Sequence, residues 1–321
     1  MDKKIIDKIN LLSKKYSATG QDLHSYLDGL LLSDFLGYWD YINLDTLLSL
    51  QKPKTDYPDE KIFIIYHQIT ELYFKLCINE IEQINENGRI INKDGQDLGW
   101  NRKLSLELFI EKMKRLNRYI KNLISSFDVM IHGMDKLEFL KFRMALLPSS
   151  GFQSAQFREI EIRSTEIKNI TSKADNGDIL SSYENLYWKK GAIDLSSGKK
   201  TYTLKQFEKK YDLELKELAE NMVTKNISHK YNRLSKNDKE NKDLIKLMKE
   251  FDYNFNINWK LAHFKSAAKH LKNKKSFIKA TGGTNWESYL PPKFQKTIFF
   301  PQLLNDEEIK NWGKSWVESI K

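Results

Sequence analysis

One cysteine, six prolines and fourteen glycines are all that this chain of 321 residues holds of those three types. A lone Cys77 excludes an intrachain disulfide. Its place among apolar residues at helical spacing marks it as a small buried hydrophobe in a reducing compartment, so a cytoplasmic protein is expected. So few glycines and prolines leave little turn punctuation for a many-stranded sandwich or barrel. No run approaches the roughly 20 apolar residues of a membrane span. The opening MDKKIIDKINLLSKKYS is short-period amphipathic, not a basic head followed by an apolar core, so neither a leader nor membrane association is expected. Nor do His, Cys and carboxylates cluster at the spacings of a metal site built from protein ligands alone.

Aromatic mass is plentiful: seventeen Phe, fifteen Tyr and seven Trp, within a 40% hydrophobic total, give ample material for a large core. The formal charge of +10 comes from lysines spread at the N-terminus, around Lys199 to Lys210, and through Lys225 to Lys275. Lysines distributed this thinly make a solvated face. Aromatics are not interleaved with them as a stacking platform for single strands requires, so no nucleic-acid partner is expected.

From Ile62 to Ile84, Ile62, Ile65, Tyr66, Ile69, Leu72, Tyr73 and Leu76 recur at three- and four-residue steps, the stripe of a helix that starts at Pro58 and Asp59 and stops near Gly88. Leu104, Leu108, Met113, Leu116, Ile120 and Leu123 predict a second long helix over 104–124. Further helices are expected at 22–36, 153–170, 204–222, 241–251, 256–272 and 305–319, and one short strand at TIFFP, 297–301. The fold class is therefore all-α, one helical domain over 1–321. The lysine-rich stretch 168–250, broken by Asn176, Gly177, Gly191 and Gly198, reads as a helical insertion within it.

Four constellations can do chemistry. Phe63 and His67 share a helical face with Glu71 and Phe74, distinct from the aliphatic stripe. An aromatic ring above an imidazole can cradle a flat heteroaromatic and accept its N–H, or the histidine can simply be a satisfied core residue. Arg158, in GFQSAQFRE with Ser154 a turn earlier and Glu161 three residues later, can grip a carboxylate bidentately or pair with a glutamate. His263, followed on the same helical side by Ser266, Ala267 and His270, faces small side chains that leave room for a planar group; it suits a proximal haem ligand, with His270 as its competitor, or plain helix packing. The ATGGT loop, 280–284, has two glycines and flanking hydroxyls that can hold an ammonium and carboxylate pair. Met130, Met134, His24, His132 and His229 have no constellation around them and default to packing or surface.

Taken in order, these segments resemble the tryptophan 2,3-dioxygenase family. The resemblance runs through LGYWDYINLDTLLSLQ, FIIYHQITELYFKLCINEIEQI, LEFLKFRMALLPSSGFQSAQFREIE, WKLAHFK and TGGTNWESYL, and so covers most of the chain. It implies an all-helical bundle binding haem b, assembled as a homotetramer that is a dimer of dimers, in which O₂ is inserted across the indole C2–C3 bond of L-tryptophan to give N-formylkynurenine. Carried over residue by residue, it makes His263 the proximal iron ligand and His67 the distal base that hydrogen-bonds the indole N–H, with Phe63 packing beside it. Arg158 would grip the substrate carboxylate, Thr281 its ammonium and carboxylate, with Gly282 beside it. Tyr38 and Tyr41 match tyrosines that the family contributes from a neighbouring subunit. The chain departs from the family pattern in a longer link from His263 to Thr281, in Ala280 and Trp286 at glycine positions, and in Ile42 and Asn43. These departures keep open a substituted tryptophan or other indole as substrate, or insertion of only one oxygen; a non-catalytic basic protein binding haem or an anion is the remaining reading.

Overall fold

The structure, a computed structural model, describes residues 2–172, 178–193, 198–272 and 296–314. The chain divides after Lys52 into two compact units. The N-terminal unit carries α1 (Lys3–Ala18), α2 (Leu23–Leu32), α3 (Tyr38–Tyr41) and α4 (Leu44–Ser49). Asp2 and Asp22 cap the first two helices by accepting backbone N–H groups. None of the four helices has a buried residue. Leu31, Leu32 and Phe35 are more than four-fifths exposed.

The second unit is built on α5 (Pro58–Asn85), α6 (Leu106–His132) and α8 (Ala155–Ser164), with α7 (Lys136–Phe142) between α6 and α8 in the chain. Pro58 opens α5, where its missing N–H costs nothing and Asp59 and Glu60 complement the helix dipole. Glu86, in the left-handed region, ends it. Buried Phe74, Cys77, Ile78, Ile81 and Ile84 of α5 meet Phe109, Met113, Leu116 and Ile120 of α6. Between them lies a two-strand hairpin, β1 (Ile90–Ile91) and β2 (Asp97–Gly99), too short to carry an alternating pattern in the sequence. Its turn is held by Asn92 Oδ1, which accepts the N–H groups of Asp94 and Gln96.

The described part of the lysine-rich stretch contains α9 (Ile179–Glu184), α10 (Tyr187–Gly191), α11 (Tyr202–Met222), α12 (Ile227–Asn232), α13 (Lys236–Lys239) and most of α14 (Lys242–Tyr253). Its Tyr183, Trp188, Leu204, Phe207, Leu215 and Met248 belong to the same hydrophobic cluster as α5, α6 and α8. Most lysines lie on the outside of these helices, and Tyr183, Trp188 and Phe207 inside. Buried Lys189 is the exception, held by Glu184, Glu208 and Asp212 at 2.9–3.0 Å.

A π-turn over Asn254–Asn258 joins α14 to α15 (Trp259–Leu271), and a short α16 (Asp306–Asn311) follows. Such turns concentrate at functional sites. Here the turn lines up side-chain amides: Asn256 donates to Asp252, Asn258 to Asn254 and Asn254 to Asn117.

Two expectations are corrected. TIFFP is not a strand: the N–H groups of Phe299 and Phe300 both donate to Asp252 Oδ2, at 2.8 and 2.9 Å, and Thr297 is bonded to Asn256 and Lys260. A buried carboxylate takes the place of a neighbouring strand, and burial pushes it up to about 6 in pKa despite those donors. On α5 the helix is where periodicity puts it, but much of the aliphatic stripe is not its core face. Ile65, Ile69, Leu72 and Leu76 are 38–53% exposed, and the buried side is the one carrying Tyr66, Thr70 and Phe74.

Candidate active site

A cleft in the second unit is walled by the inner face of α5, the end of α6, the loop before α8, and parts of α8, α10 and α15. The α5 face presents to it Phe63, His67, Glu71 and Phe74, the face read from the sequence, together with Tyr66 and Thr70. The Phe63 and His67 rings lie 4.0 Å apart at 33°. His67 Nδ1 sits 2.7 Å from the Phe63 carbonyl. A carbonyl only accepts, so Nδ1 carries the proton and Nε2 is left as the ring's acceptor. Burial drives the imidazole's pKa below 6.5, partly offset by that hydrogen bond and by the charge of Glu71. The neutral ring is therefore the form present near neutrality.

α15 forms the second wall, with Trp259, His263, Ser266, Ala267, His270 and Leu271 lining the cleft. The Phe127 ring stacks on His263 at 5.9 Å and 24°, and Trp259 lies 5.4 Å away. His263 Nδ1 is buried with no hydrogen-bond partner. Burial, reinforced by the field of His67, holds this imidazole down at about 4. His270 is on the same side but differs: its Nε2 donates to the Met130 carbonyl at 2.6 Å and its ring packs against Phe139. A neutral imidazole with an unspent nitrogen, next to Ser266 and Ala267, is the donor set that axial ligation of a flat metal macrocycle requires; His263 offers it, and His270, whose Nδ1 is also unpartnered, differs in being tethered through Nε2 to Met130. Among the described residues no three His, Cys, Asp or Glu side chains could hold a bare metal ion.

α8 supplies the cation. Arg158 is 6% exposed and boxed by the rings of Phe152, Phe157, Tyr187 and Trp188, whose centroids lie 5.1–5.8 Å from its guanidinium carbon. One terminal nitrogen donates to Glu161 at 3.1 Å and to the Tyr187 hydroxyl at 3.0 Å, and Tyr187 in turn donates to Glu161. Burial opposes the charge, but Tyr187 and Glu161 outweigh it and hold the guanidinium above its ordinary pKa. Arg158 thus makes the intrahelical pair with Glu161, one of its two readings from sequence. Its Nε remains buried and without a partner, a donor still to be used.

Phe63, His67, Arg158 and His263 thus line one cleft. Tyr38 and Tyr41 lie on α3 of the N-terminal unit, 69% and 76% exposed. Thr281 and Gly282 lie outside the described residues, as do Ala280 and Trp286. Sequence reasoning missed Tyr187 and Trp188, whose signal was an aromatic pair inside a lysine-rich stretch. It also set aside Met130 and Met134, which are buried in the α6 end of the wall. His24 and His132 are exposed, as their lack of company implies.

A family model described as tryptophan 2,3-dioxygenase matches residues 32–253. Among curated proteins, the tryptophan 2,3-dioxygenase of Ruegeria sp. (strain TM1040) is 39% identical over 129 residues, 40% of this chain and 41% of that protein. That of Anaeromyxobacter sp. (strain K) is 36% identical over 126 residues, 39% and 42% of the two chains. That of Pseudomonas fluorescens is 34% identical over 129 residues, 40% of each. These matches span less than half the length of the curated relatives. The family match, however, covers well over half of this chain, including the whole of α5, α6 and α8, and the chain belongs to the tryptophan 2,3-dioxygenase family.

Proposed function

We propose that the protein is a haem-dependent dioxygenase that inserts both atoms of O₂ across the indole C2–C3 bond of L-tryptophan, giving N-formylkynurenine. The observation that carries this reading is the pair of neutral imidazoles on opposite walls of one cleft. His67 is oriented by its own helix with Nε2 as acceptor, and His263 has an unspent nitrogen. In this reading His263 holds the iron of haem b, and the bound haem supplies the binding and activation of O₂ that side chains cannot provide. Thr281 and Gly282 are assigned to the amino-acid end on resemblance.

The chain's own residues do the rest. His67 Nε2 accepts the indole N–H, and Phe63 covers the ring, so the indole is held in one orientation. Because the indole N–H is a very weak acid, His67 acts as an orienting acceptor more than as a base. The unpartnered Nε of Arg158 meets the substrate carboxylate inside an aromatic box that excludes water and strengthens the charge contact. Tyr187 and Glu161 keep the guanidinium in place before the substrate arrives. On this account the 168–250 stretch belongs to the single catalytic domain, because its Tyr187 and Trp188 wall the cleft.

A homotetramer, a dimer of dimers, completes the proposal. It is supported by the exposed aliphatic stripe of α5 and by the exposed apolar residues of the N-terminal unit, surfaces that a monomer leaves in water. Tyr38 and Tyr41 would then serve a neighbouring subunit's cleft. A cytoplasmic setting fits the single buried, unpaired Cys77. Among the described residues no helix is long and apolar enough to cross a membrane. Mass spectrometry of the product from L-tryptophan under O₂ tests the reading: a gain of two oxygen atoms is expected, and a gain of one, or none, overturns it.

A further inference from the structure

Among the described residues three lysines are buried, and two of them touch carboxylates: Lys112 has Glu80 at 3.0 Å, and Lys189 has Glu184, Glu208 and Asp212 at 2.9–3.0 Å. The third, Lys260 on α15, is 5% exposed, and no described Asp or Glu lies within ion-pair distance of its Nζ. Nζ donates instead to Thr297 Oγ1 at 2.8 Å and lies over the Tyr187 ring, 5.2 Å from its centroid. Through its hydroxyl the same Tyr187 is bonded to both Glu161 and Arg158. Burial lowers the pKa of Lys260, the charge of Glu161 opposes this most strongly, Arg158 adds to the lowering, and Asp252 opposes it least; the ammonium keeps its proton at pH 7. The Asp252 carboxylate already accepts from Asn256 and from the N–H groups of Phe299 and Phe300. Two buried cations, Arg158 and Lys260, thus share one near carboxylate, Glu161.

We propose that Lys260 is a positioning residue that sets specificity for a ligand carboxylate: without touching the ligand, it gives the Arg158 end of the cleft the surplus positive charge that the carboxylate neutralises. The proposal rests on reading the cleft as an indole amino-acid site. Arg158 and Glu161 alone make a neutral pair, and a ligand carboxylate brought beside it would place two desolvated anions on one cation. Lys260 changes that count, because with it the occupied cleft has two cations for two carboxylates. It does so from outside the lining, by packing on Tyr187, which does line the cleft and whose hydroxyl ties Glu161 to Arg158. The share of Glu161 that Lys260 takes leaves the buried, unpartnered Nε of Arg158 for the ligand. An indole amine without a carboxylate meets the same surplus charge as a repulsion, so one lysine both favours the right ligand and rejects the wrong one.

The test is calorimetric titration at pH 7 of the haem-loaded wild type, Lys260→Met, Arg158→Ala and the double variant, with L-tryptophan and with tryptamine, which lacks the carboxylate. Methionine keeps an unbranched chain and removes the charge, and Thr297 retains its own bond to Asn256, so haem retention and the thermal midpoint should not fall. L-tryptophan should bind Lys260→Met more weakly by roughly 10-fold, as loss of one neighbouring charge in a partly desolvated site implies, while tryptamine binds as well as before or better. In the Arg158→Ala background the same substitution should cost L-tryptophan no more than about threefold, because the charge acts through the guanidinium. Should Lys260→Met lower the thermal midpoint, Lys260→Gln, whose amide can still donate to Thr297, takes its place with the same expectations. Unchanged affinity for L-tryptophan, an equal loss for both ligands, or the full loss repeated without Arg158 overturns the role of Lys260 alone. Failure of the wild type to bind L-tryptophan overturns the reading of the cleft, and this assignment with it.

Discussion

The α5 wall of the cleft presents His67 and the α15 wall His263 and His270, and His67 and His263 are prepared in opposite ways. On α5, His67 Nδ1 is committed to the Phe63 carbonyl one turn back, which fixes both the ring and its tautomer. On α15, His263 Nδ1 meets no partner, and the ring rests against Phe127 and Trp259. Burial keeps both neutral. An imidazole oriented by its own backbone can accept a proton-bearing ligand in one direction. A buried imidazole nitrogen left unpartnered costs free energy until something binds it. The contrast agrees with the proposed function, in which α5 receives the organic substrate and α15 the metal.

Exchanging or removing these preparations should break the contrast, most of all at His263. His263→Ala should abolish retention of haem through gel filtration, read by absorbance of the eluted protein, whereas His270→Ala should retain it, because His270 already spends Nε2 on Met130. The reverse result would move the ligand about two turns along α15 and undo the assignment. Arg158→Ala comes next. It should leave haem retention intact but raise KM for L-tryptophan on the order of 10- to 100-fold, the loss of one charged hydrogen bond. An unchanged KM would reduce Arg158 to its structural pair with Glu161. His67→Ala should cost less, about tenfold in kcat/KM, since a neutral hydrogen bond and an orientation are lost while haem stays bound. A loss of haem in that variant would contradict the division between the walls.

The same two helices show what the sequence could and could not disclose. Spacing alone placed Phe63 with His67, and His263 with Ser266, Ala267 and His270, because residues three and four apart on a helix must share a side. Spacing could not say which side of α5 is buried. The aliphatic residues Ile65, Ile69, Leu72 and Leu76 make the helical stripe visible, but the side with Tyr66, Thr70 and Phe74 is the inner one. A helix that carries a site inside and an apolar surface outside inverts the usual inference from hydrophobic periodicity. Tyr187 and Trp188 were equally hidden. Their approach to Arg158 joins positions 29 and 30 residues apart through tertiary packing, which no local pattern encodes. The TIFFP strand failed for a related reason: strand propensity needs a neighbouring strand, and here the side chain of Asp252 takes two of the backbone donors.

The smallest expected effect concerns pH and bears only on the α5 wall. Burial holds His67 below its ordinary value of 6.5, so the neutral acceptor persists at and above pH 6.5, and affinity for L-tryptophan should be flat there. As pH falls further, the native ring protonates later than the same ring in the unfolded chain. The unfolded state then binds more protons, so stability drops with falling pH in the window beneath 6.5, and substrate affinity drops with it once Nε2 is protonated. His67→Gln removes the titration and should flatten the acid limb of the affinity profile measured by calorimetry. Glu71→Gln removes a charge that holds the His67 pKa up, so its acid limb should move to lower pH. If wild type and His67→Gln lose affinity along the same acid limb, another group titrates there, and the orienting acceptor on α5 is not His67.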